Sequence, residues 1–287
     1  MATTQVAIRN RAGDTRNVVF LPDLPKEKHA EVHQLMTTCF SQAEPMSKAS
    51  EQSLTTMGAF SRDTLAKAAS SAAQHYSAVA LDPATGRTVG FCVQSTLDPN
   101  VEDPAELPPG WDGMAPIMDF LTRLDNVLRA MLLQPADCGQ VAERLAAGQA
   151  APQGFGETTV FSASPAVDAA CRAAATALRQ NTLGHTFMIG SFEAGLTRPL
   201  VLAALRAMRD AGIHASCAET TSPASTRLLM RCGFVEVLRI PYVAARDARL
   251  AALRWPQPDL LLPPDIADPH QAFCRGMLID LTTANLD

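Results

Sequence analysis

The sequence is poor in aromatic residues and in charge. Aromatic side chains make up 5% and charged side chains 18% of its 287 residues. Lys and Arg number 24 against 29 Asp and Glu, which gives a net charge of −5. Proteins that neutralise nucleic-acid phosphates carry an excess of basic residues, so we expect no nucleic-acid partner. The 47% of apolar residues is enough for a folded core.

Long apolar runs are missing as well. None approaches the roughly 20 residues of a membrane-spanning helix, and residues 1–15 lack the apolar stretch of a secretory signal. The 7 cysteines are scattered and form no C-x-x-C pair, which is typical of reduced thiols. Neither Cys nor His clusters at metal-ligand spacing. We therefore expect a cytoplasmic protein with no membrane partner and no metal.

The pattern of apolar residues predicts an α/β protein. Val32, Leu35, Met36, Cys39 and Phe40 follow the spacing of one helix face. The alternation of apolar residues and the turn residues between them predict strands over 17–21, 76–81, 88–95, 186–192, 214–219, 234–240 and 275–281. Helices are predicted from residue 25, over 62–74 and 117–131, and before and after the strand at 214–219.

Two helices near the C-terminus carry clear end signals. Thr197 is predicted to cap the first helix, and Gly212 fits the position after its end. Ser222 is predicted to cap the second helix, which should end at Gly233 with Phe234 in the contact of a Schellman turn. The order strand, helix, strand, helix, strand over 186–240 follows from these signals.

Residues 97–185 form a segment of different composition. Its first part is rich in proline and holds five acidic residues around Trp111, with no Lys or Arg, which predicts a loop. Ala-rich helices follow. No fixed-period repeat is present, so we expect no solenoid. We interpret 97–185 as an insertion within a single domain spanning 1–287.

Residues 218–234 resemble the GNAT superfamily of acyl-CoA-dependent N-acetyltransferases in its fifth strand, fourth helix and closing Gly-Phe pair. The segment around Glu44 and Pro45, the Ser225-Thr226-Arg227 register and the Pro269-His270 pair resemble the arylalkylamine N-acetyltransferase branch. This resemblance implies a mixed central sheet flanked by helices, with a helical insertion between the third and fourth strands. It also implies acetyl-CoA as co-substrate.

The resemblance assigns the pyrophosphate of acetyl-CoA to the loop 192–197, where the family pattern is Arg/Gln-x-x-Gly-x-Gly/Ala. Only the first glycine, Gly195, is present here. Helix N-termini attract anions, and Thr197 and Arg198 add a hydroxyl and a positive charge. The candidate acyl-CoA residues are therefore Ile189, Ser191, Phe192, Gly195, Thr197 and Arg198. An ordinary strand–helix turn is the alternative, and a strand at 158–163 is an alternative to the one at 186–192.

The resemblance also implies the residues that would move protons. Glu44 occupies the position of the base, which removes a proton from the ammonium group; a surface glutamate is the alternative. The family's usual tyrosine is replaced by Leu229, and Thr221 and Ser225 match the hydroxyl residues of the arylalkylamine branch. An early-turn backbone contact is the alternative for Ser225. Pro45 and Trp111 are candidate substrate contacts, although the acidic loop around Trp111 also fits a solvated surface.

Three functions remain open from the sequence. The first is N-acetylation of a small arylalkylamine in a ternary complex, without a covalent cysteine intermediate. The second is acetylation of a polyamine or a protein. The third is a non-catalytic regulator with a degenerate acyl-CoA site. We expect a monomer or a homodimer in each case.

Overall fold

A mixed sheet of eight strands forms the centre of the fold. The computed structural model describes residues 4–9, 15–21, 23–97, 107–133, 164–262 and 268–286. The strands are β1 (Thr4–Arg9), β2 (Thr15–Leu21), β3 (Ala78–Leu81), β4 (Thr88–Thr96), β5 (Leu183–Ser191), β6 (Ala215–Thr220), β7 (Val235–Pro241) and β8 (Phe273–Asp280). Their order in the sheet is β1-β2-β3-β4-β5-β6-β8-β7, with β5 and β6 parallel and the other neighbouring pairs antiparallel.

Helices cover the sheet. They are α1 (His29–Ala43), α2 (Pro45–Ala49), α3 (Leu54–Ala69), α4 (Ala115–Leu133), α5 (Pro165–Arg179), α6 (Thr197–Asp210), α7 (Pro223–Arg231) and α8 (Ala248–Ala251). No helix within the described ranges is both long and apolar enough to cross a lipid bilayer. The six described cysteines are buried and form no disulfide with one another, whereas Cys138 lies outside the described residues.

The first strand of the sheet was not predicted. β1 pairs with β2 along its length, so the strand predicted at 17–21 is the second of the sheet and begins at Thr15. Val18 and Phe20 of β2 are buried, whereas Thr15 and Asn17 are exposed, as expected for a strand covered on one face. The sheet therefore extends one strand beyond the prediction.

Two helix starts differ from the prediction, and a capping side chain explains one of them. Residues 26–28 form a 3-10 turn, and α1 begins only at His29. Helix α3 begins at Leu54 instead of residue 62, since the Ser53 side chain accepts a hydrogen bond from the Thr56 N–H. The helix ends at Ala69 and is followed by a 3-10 turn over Ala72–His75.

The described part of the predicted insertion belongs to the core. Phe120, Leu124 and Leu128 of α4 and Cys171 of α5 are almost fully buried. Both helices pack against β8, and they contact each other. The Leu97 N–H donates to the Leu183 carbonyl at 3.0 Å, which fixes the two ends of the segment at the edge of the β4–β5 pair. Residues 98–106 and 134–163 lie outside the described residues.

The predicted end of α7 is confirmed, whereas the predicted cap of α6 is wrong. At Gly233 the backbone has a φ of 98°, and the Phe234 N–H donates to the Leu229 carbonyl at 3.0 Å, the bond of a Schellman turn. Thr197 is the first helical residue of α6, and the residue before it, Leu196, makes no side-chain cap. The first amides of α6 are therefore left without a capping side chain.

Strands β5 and β6 separate part of the way along. They pair only from Leu183 to His185 on β5, while β5 continues beside β4 as far as Ser191. The β4–β5 register shifts by one residue at Phe187, which is a β-bulge. This arrangement confirms that the strand before the loop at 192–197 is the one predicted at 186–192; residues 158–163 are outside the described part.

Candidate active site

A cavity of about 300 Å³ opens where β5 and β6 separate. Its polar wall comes from the start of α2, the end of β6 and the start of α7. Glu44, Ser47, Thr221, Ser222 and Ser225 lie there. Apolar side chains make up much of the rest of the lining, and they include Phe40, Met46, Met57, Phe60, Met114, Ile117, Leu121 and Phe187. Cavities of this size, apolar with a few convergent polar groups, are typical of small-molecule sites.

The floor of the cavity is the separated part of β5. The cavity is lined by consecutive β5 residues from Thr186 to Ser191. Past His185 the backbone groups of β5 that point toward β6 have no strand partner in the described pairing. Unpaired N–H groups on a rigid strand are suitable donors to an oxyanion or to an extended amide-containing ligand.

Gly190 permits the close approach of α1 to this strand. A Cβ atom at Gly190 would lie 2.5 Å from Phe91 Cζ and 3.2 Å from Cys39 Cβ. A side chain there would force α1 or β4 to move. The glycine therefore keeps Glu44, at the C-terminal end of α1, close to the separated strands.

Glu44 lies at the junction between α1 and α2. Its Oε1 accepts from the Met46 N–H at 3.0 Å and its Oε2 from the Ser47 N–H at 2.5 Å, so it caps α2. The residue is half-buried, and it lines the cavity. Burial raises the pKa of Glu44, and the N–H groups of Ser47 and Met46 and the hydroxyl of Thr221 partly oppose that rise.

Thr221 and Ser225 reach the same cavity, but they differ in how they are held. The Ser225 hydroxyl donates to the Ser222 carbonyl at 2.9 Å, and Ser225 and Ser222 form a reciprocal capping box at the start of α7. The backbone contact that the sequence left as an alternative for Ser225 is therefore present. Thr221 instead faces Glu44 and lowers the pKa of that carboxyl group.

Tyr242 is a buried residue that holds the backbone of Thr221, and the sequence did not indicate this role. Its hydroxyl donates to the Thr221 carbonyl at 3.2 Å, and its ring stacks on Phe120 at 5.0 Å. Burial raises the pKa of Tyr242 well above its usual range, so the hydroxyl remains a donor. No local sequence pattern indicates this contact, because 21 residues separate Tyr242 from Thr221.

The loop before α6 has the features of an anion site. Gly195 adopts a φ of 84°, and Thr197 at the start of α6 lines the cavity. Glu193, which would repel a phosphate, forms an ion pair with Arg16 at 2.7 Å. The pairing offsets the unfavourable charge that the sequence places in this loop.

The candidate acyl-CoA residues are only partly brought together. Ile189, Ser191, Phe192 and Thr197 line the cavity, and Phe192 is more than half exposed. The Ser191 hydroxyl donates to the Val89 carbonyl at 2.8 Å and accepts from the Glu193 N–H. Gly195 and Arg198 lie outside the lining, and the Arg198 guanidinium donates to the Arg231 carbonyl at 3.2 Å.

The two candidate substrate contacts have different positions. Pro45 lines the cavity beside Glu44. Trp111 does not line it: its Nε1 donates to Asp63 at 2.9 Å, and its ring packs edge-on against Phe60, which does line it. Trp111 therefore supports the apolar wall from behind.

A second carboxylate in the cavity was missed by the sequence analysis. Glu219 on β6 lines the cavity, and its Oε2 lies 2.6 Å from Nε2 of His185 on β5. Cys217 is close enough for these three residues to be considered as metal ligands. The direct bond between His185 and Glu219 leaves no room for an ion, since two ligands of one zinc ion lie more than 3 Å apart.

Comparisons with known proteins give matches to solved structures only. No protein-family model and no curated protein matches the sequence. A putative arylalkylamine N-acetyltransferase 7 of the yellow fever mosquito is 15% identical over 98% of this chain and 95% of its own, with a TM-score of 0.58. A mosquito arylalkylamine N-acetyltransferase like 5b is 14% identical over 92% and 99%, with a TM-score of 0.56.

A third similar structure is the C-terminal condensation domain of Ebony in complex with β-alanyl-dopamine. It is 14% identical over 91% of this chain and 99% of its own, with a TM-score of 0.55. The chain therefore has the fold of these N-acetyltransferase structures, which is the GNAT fold that the sequence led us to expect. The mixed sheet and its flanking helices are those expected from the sequence.

Proposed function

We propose that this protein is an acetyl-CoA-dependent N-acetyltransferase of small primary amines with an apolar or aromatic body. The observation that carries the proposal is the position of Glu44. It is a half-buried carboxylate whose pKa is raised by desolvation, at the edge of a cavity whose floor is the separated strand β5. A general base in this position removes the proton that keeps an ammonium group from attacking a thioester.

The residues present fit acetyl-CoA. The unpaired backbone of β5 beyond His185 suits an extended pantetheine arm, and the uncapped start of α6 with Thr197 suits the pyrophosphate. The ion pair of Glu193 with Arg16 offsets the negative charge of Glu193, which would oppose binding of the pyrophosphate. Acetyl-CoA supplies a thioester carbon that an amine can attack directly.

The reaction needs two proton movements. Glu44 accepts the proton of the bound ammonium group, and the free amine then attacks the thioester carbon. Backbone N–H groups within residues 188–192 stabilise the developing oxyanion. The C–S bond breaks, the nitrogen loses its second proton, and the Thr221 or Ser225 hydroxyl relays that proton to the departing thiolate. Glu44 releases its proton to solvent before the next cycle, so the products are the amide, CoA and one proton.

The apolar wall supports a small acceptor with an aromatic or aliphatic body. The apolar lining of the cavity includes Met46, Met57, Met114, Phe60, Ile117 and Phe187. A polyamine would place several charges against this wall, which is unfavourable. A cytoplasmic location, a small-molecule amine as partner and a monomeric or homodimeric state stay predictions of the sequence.

Release of CoA from acetyl-CoA tests the proposal. Purified protein is assayed with tryptamine, tyramine, dopamine, spermidine and a short peptide. We expect turnover with the three arylalkylamines and at least a 10-fold lower kcat/KM with spermidine. Spermidine as the best acceptor would support the polyamine alternative. Calorimetric binding of acetyl-CoA without turnover of any amine would support the regulator.

A further inference from the structure

The loop between β6 and α7 carries the Thr221 hydroxyl, and the direction of this hydroxyl depends on how the loop is held. Residues 221 and 222 belong to no strand or helix. The hydroxyls of Thr220 and Thr226 form a buried hydrogen bond at 2.8 Å, and the Ser222–Ser225 capping box closes the start of α7. These contacts fix the two sides of the loop, but neither of them involves Thr221 itself.

Tyr242 supplies a contact to Thr221 from another part of the fold. The Tyr242 hydroxyl, in the 3-10 turn after β7, donates to the Thr221 carbonyl at 3.2 Å. The Thr221 hydroxyl in turn reaches Glu44 and opposes the rise that burial causes in the pKa of that carboxyl. Because the carbonyl and the side chain of one residue turn together, the bond from Tyr242 also limits where the Thr221 hydroxyl can point.

Tyr242 is itself held from three directions. Its side chain is fully buried, and its ring stacks on Phe120 of α4, with 5.0 Å between the ring centroids. The ring also meets Trp255 edge-on at 6.1 Å, and the Tyr242 N–H donates to the Ala272 carbonyl at 2.9 Å. These contacts fix the ring and therefore the hydroxyl. Helix α4 belongs to the segment 97–185, so this segment supports the candidate site through Tyr242.

The Tyr242 hydroxyl acts on Thr221 and not on a substrate, since Tyr242 is not among the residues that line the cavity. Ser225, the other candidate relay hydroxyl, donates to the Ser222 carbonyl at 2.9 Å within the capping box of α7. Its direction is set inside its own helix. Thr221 is therefore the candidate relay hydroxyl whose direction depends on Tyr242.

We propose that Tyr242 is a positioning residue: by holding the Thr221 carbonyl, it directs the Thr221 hydroxyl into the proton relay. The inference rests on the proposed N-acetyltransferase function and assigns the relay to Thr221 in place of Ser225. The Thr221 hydroxyl accepts the second proton of the nitrogen as it gives its own proton to the departing thiolate. A displacement of about 1 Å in such a group can slow a reaction about 100-fold.

Other ionisable groups around Glu44 keep one charge state over the working pH range. Tyr242 and Cys274 of β8 are fully buried, and burial raises the pKa of each, so both stay neutral. Burial also acts to raise the pKa of Glu219, but the charge of a neighbouring histidine outweighs it, so the pKa is lowered and Glu219 stays ionised. A difference in pH profile between two variants therefore reports on Glu44.

Tyr242→Phe tests the inference, because it removes the hydroxyl and keeps the ring. With 2-phenylethylamine we expect kcat to fall about 5- to 50-fold, while KM for the amine and the calorimetric affinity for acetyl-CoA stay within about 2-fold. The rise of kcat/KM with pH should move to higher pH. Burial raises the pKa of Glu44, and the lost Thr221 hydrogen bond no longer opposes that rise.

The other tyrosine of the chain provides a matched control. Tyr76 is buried like Tyr242, but it does not line the cavity and does not contact Thr221. Tyr76→Phe should therefore leave kcat and the pH profile unchanged.

A double variant shows whether Tyr242 acts through Thr221. Thr221→Val removes the hydroxyl and keeps the shape of the side chain. Adding Tyr242→Phe to Thr221→Val should lower kcat by less than about 2-fold further, because the relay hydroxyl is already absent. If Tyr242→Phe does not fold, Phe120→Leu removes the ring on which Tyr242 stacks. It should move the pH profile in the same direction with a smaller loss of kcat.

Three results would overturn the inference. One is a Tyr242→Phe protein with the kcat and pH profile of the wild type. Another is the same loss of kcat with and without the Thr221 hydroxyl, and the third is a weaker binding of acetyl-CoA that accounts for the whole loss. Each of these contradicts the role of Tyr242 alone, whereas a wild type that binds acetyl-CoA and acetylates no amine contradicts the proposed function itself.

Discussion

At the scale of single residues, Glu44 shows how one side chain can combine structure and chemistry. Both of its oxygens accept N–H groups at the start of α2, which fixes the carboxylate at the edge of the cavity. These bonds favour the ionised form, whereas burial favours the protonated form, and burial has the larger effect on its pKa. The group is thus oriented as a cap and is more basic than an ordinary glutamate.

Replacement of Glu44 by Gln tests its catalytic role. The amide cannot accept the ammonium proton, so we expect kcat to fall by about 10²- to 10⁴-fold. In the wild type, kcat/KM should rise with pH as Glu44 loses its proton, at a pH above the usual range for glutamate, because its pKa is raised. This rise should be absent from Glu44→Gln.

A second cap controls for the loss of helix capping. Ser53→Ala removes the side chain that accepts from the Thr56 N–H at 3.0 Å, outside the cavity. Its free energy of unfolding should fall by about 0.5–2 kcal/mol with no change in kcat. A similar kcat in Glu44→Gln and Ser53→Ala would remove Glu44 from the mechanism.

At the scale of elements, the separation of β5 from β6 is what creates the site. The bulge at Phe187 and the loss of pairing after His185 expose backbone groups at the cavity floor. Close contact between α1 and β5 then brings Glu44 to that floor, and Gly190 is the residue that permits the contact.

Gly190→Ala should therefore be destabilising. The added methyl would lie 2.5 Å from Phe91 Cζ, so we expect a loss of about 1–3 kcal/mol in the free energy of unfolding, measured by urea titration. The matched variant Gly58→Ala adds a methyl within α3, where the nearest atom is 4.0 Å away. It should be neutral or stabilise by up to about 1 kcal/mol. Equal stability of the two variants would contradict the tight packing of Gly190 against Phe91 of β4 and Cys39 of α1.

Local signals explain which elements were predictable. Ser222, Gly233 and Phe234 flank the nine residues of α7, and the structure has the capping box and Schellman turn that they indicate. Thr197 has the same kind of signal, but the loop positions it inside α6 instead of at the cap. Residues 10–14 separate β1 from β2, so no two-residue turn signal predicts that these two strands pair.

At the scale of the whole molecule, buried ion pairs join the C-terminal part of the chain to the sheet. Arg275 of β8 is completely buried and pairs with Asp259 at 2.5 Å and with Glu236 of β7 at 3.2 Å. Arg239 also pairs with Glu236, and the ring of Phe273 lies 5.7 Å below both guanidinium groups. Such a network is costly to break, because it leaves buried charges without partners.

Asp259→Ala should lower the free energy of unfolding by about 3–5 kcal/mol, measured by urea titration, because it leaves Arg275 buried with half of its partners. Arg246→Ala removes an ion pair of similar length with Asp119 at the surface, where Arg246 is 74% exposed. Its cost should be about 0–1 kcal/mol. A loss below 1 kcal/mol in both variants would show that the Arg275 network is not a major source of stability.

The candidate site was only partly predictable, because its residues come from distant parts of the chain. Glu44, Thr221 and Ser225 were found through their resemblance to a family, and the structure places all three at one cavity. Glu219 and His185 carry no motif and become a pair only through the parallel pairing of β5 with β6. Long-range contacts of this kind leave no local pattern in a sequence.

Mass spectrometry of the product tests the central claim most directly. The wild-type protein is incubated with 2-phenylethylamine and acetyl-CoA that carries ¹³C in the acetyl group. The account predicts N-acetyl-2-phenylethylamine with the label, formed in proportion to enzyme and together with one equivalent of CoA, and at least 100-fold more slowly by Glu44→Gln. Binding of acetyl-CoA without any labelled amide, or an equal rate for Glu44→Gln, would contradict it.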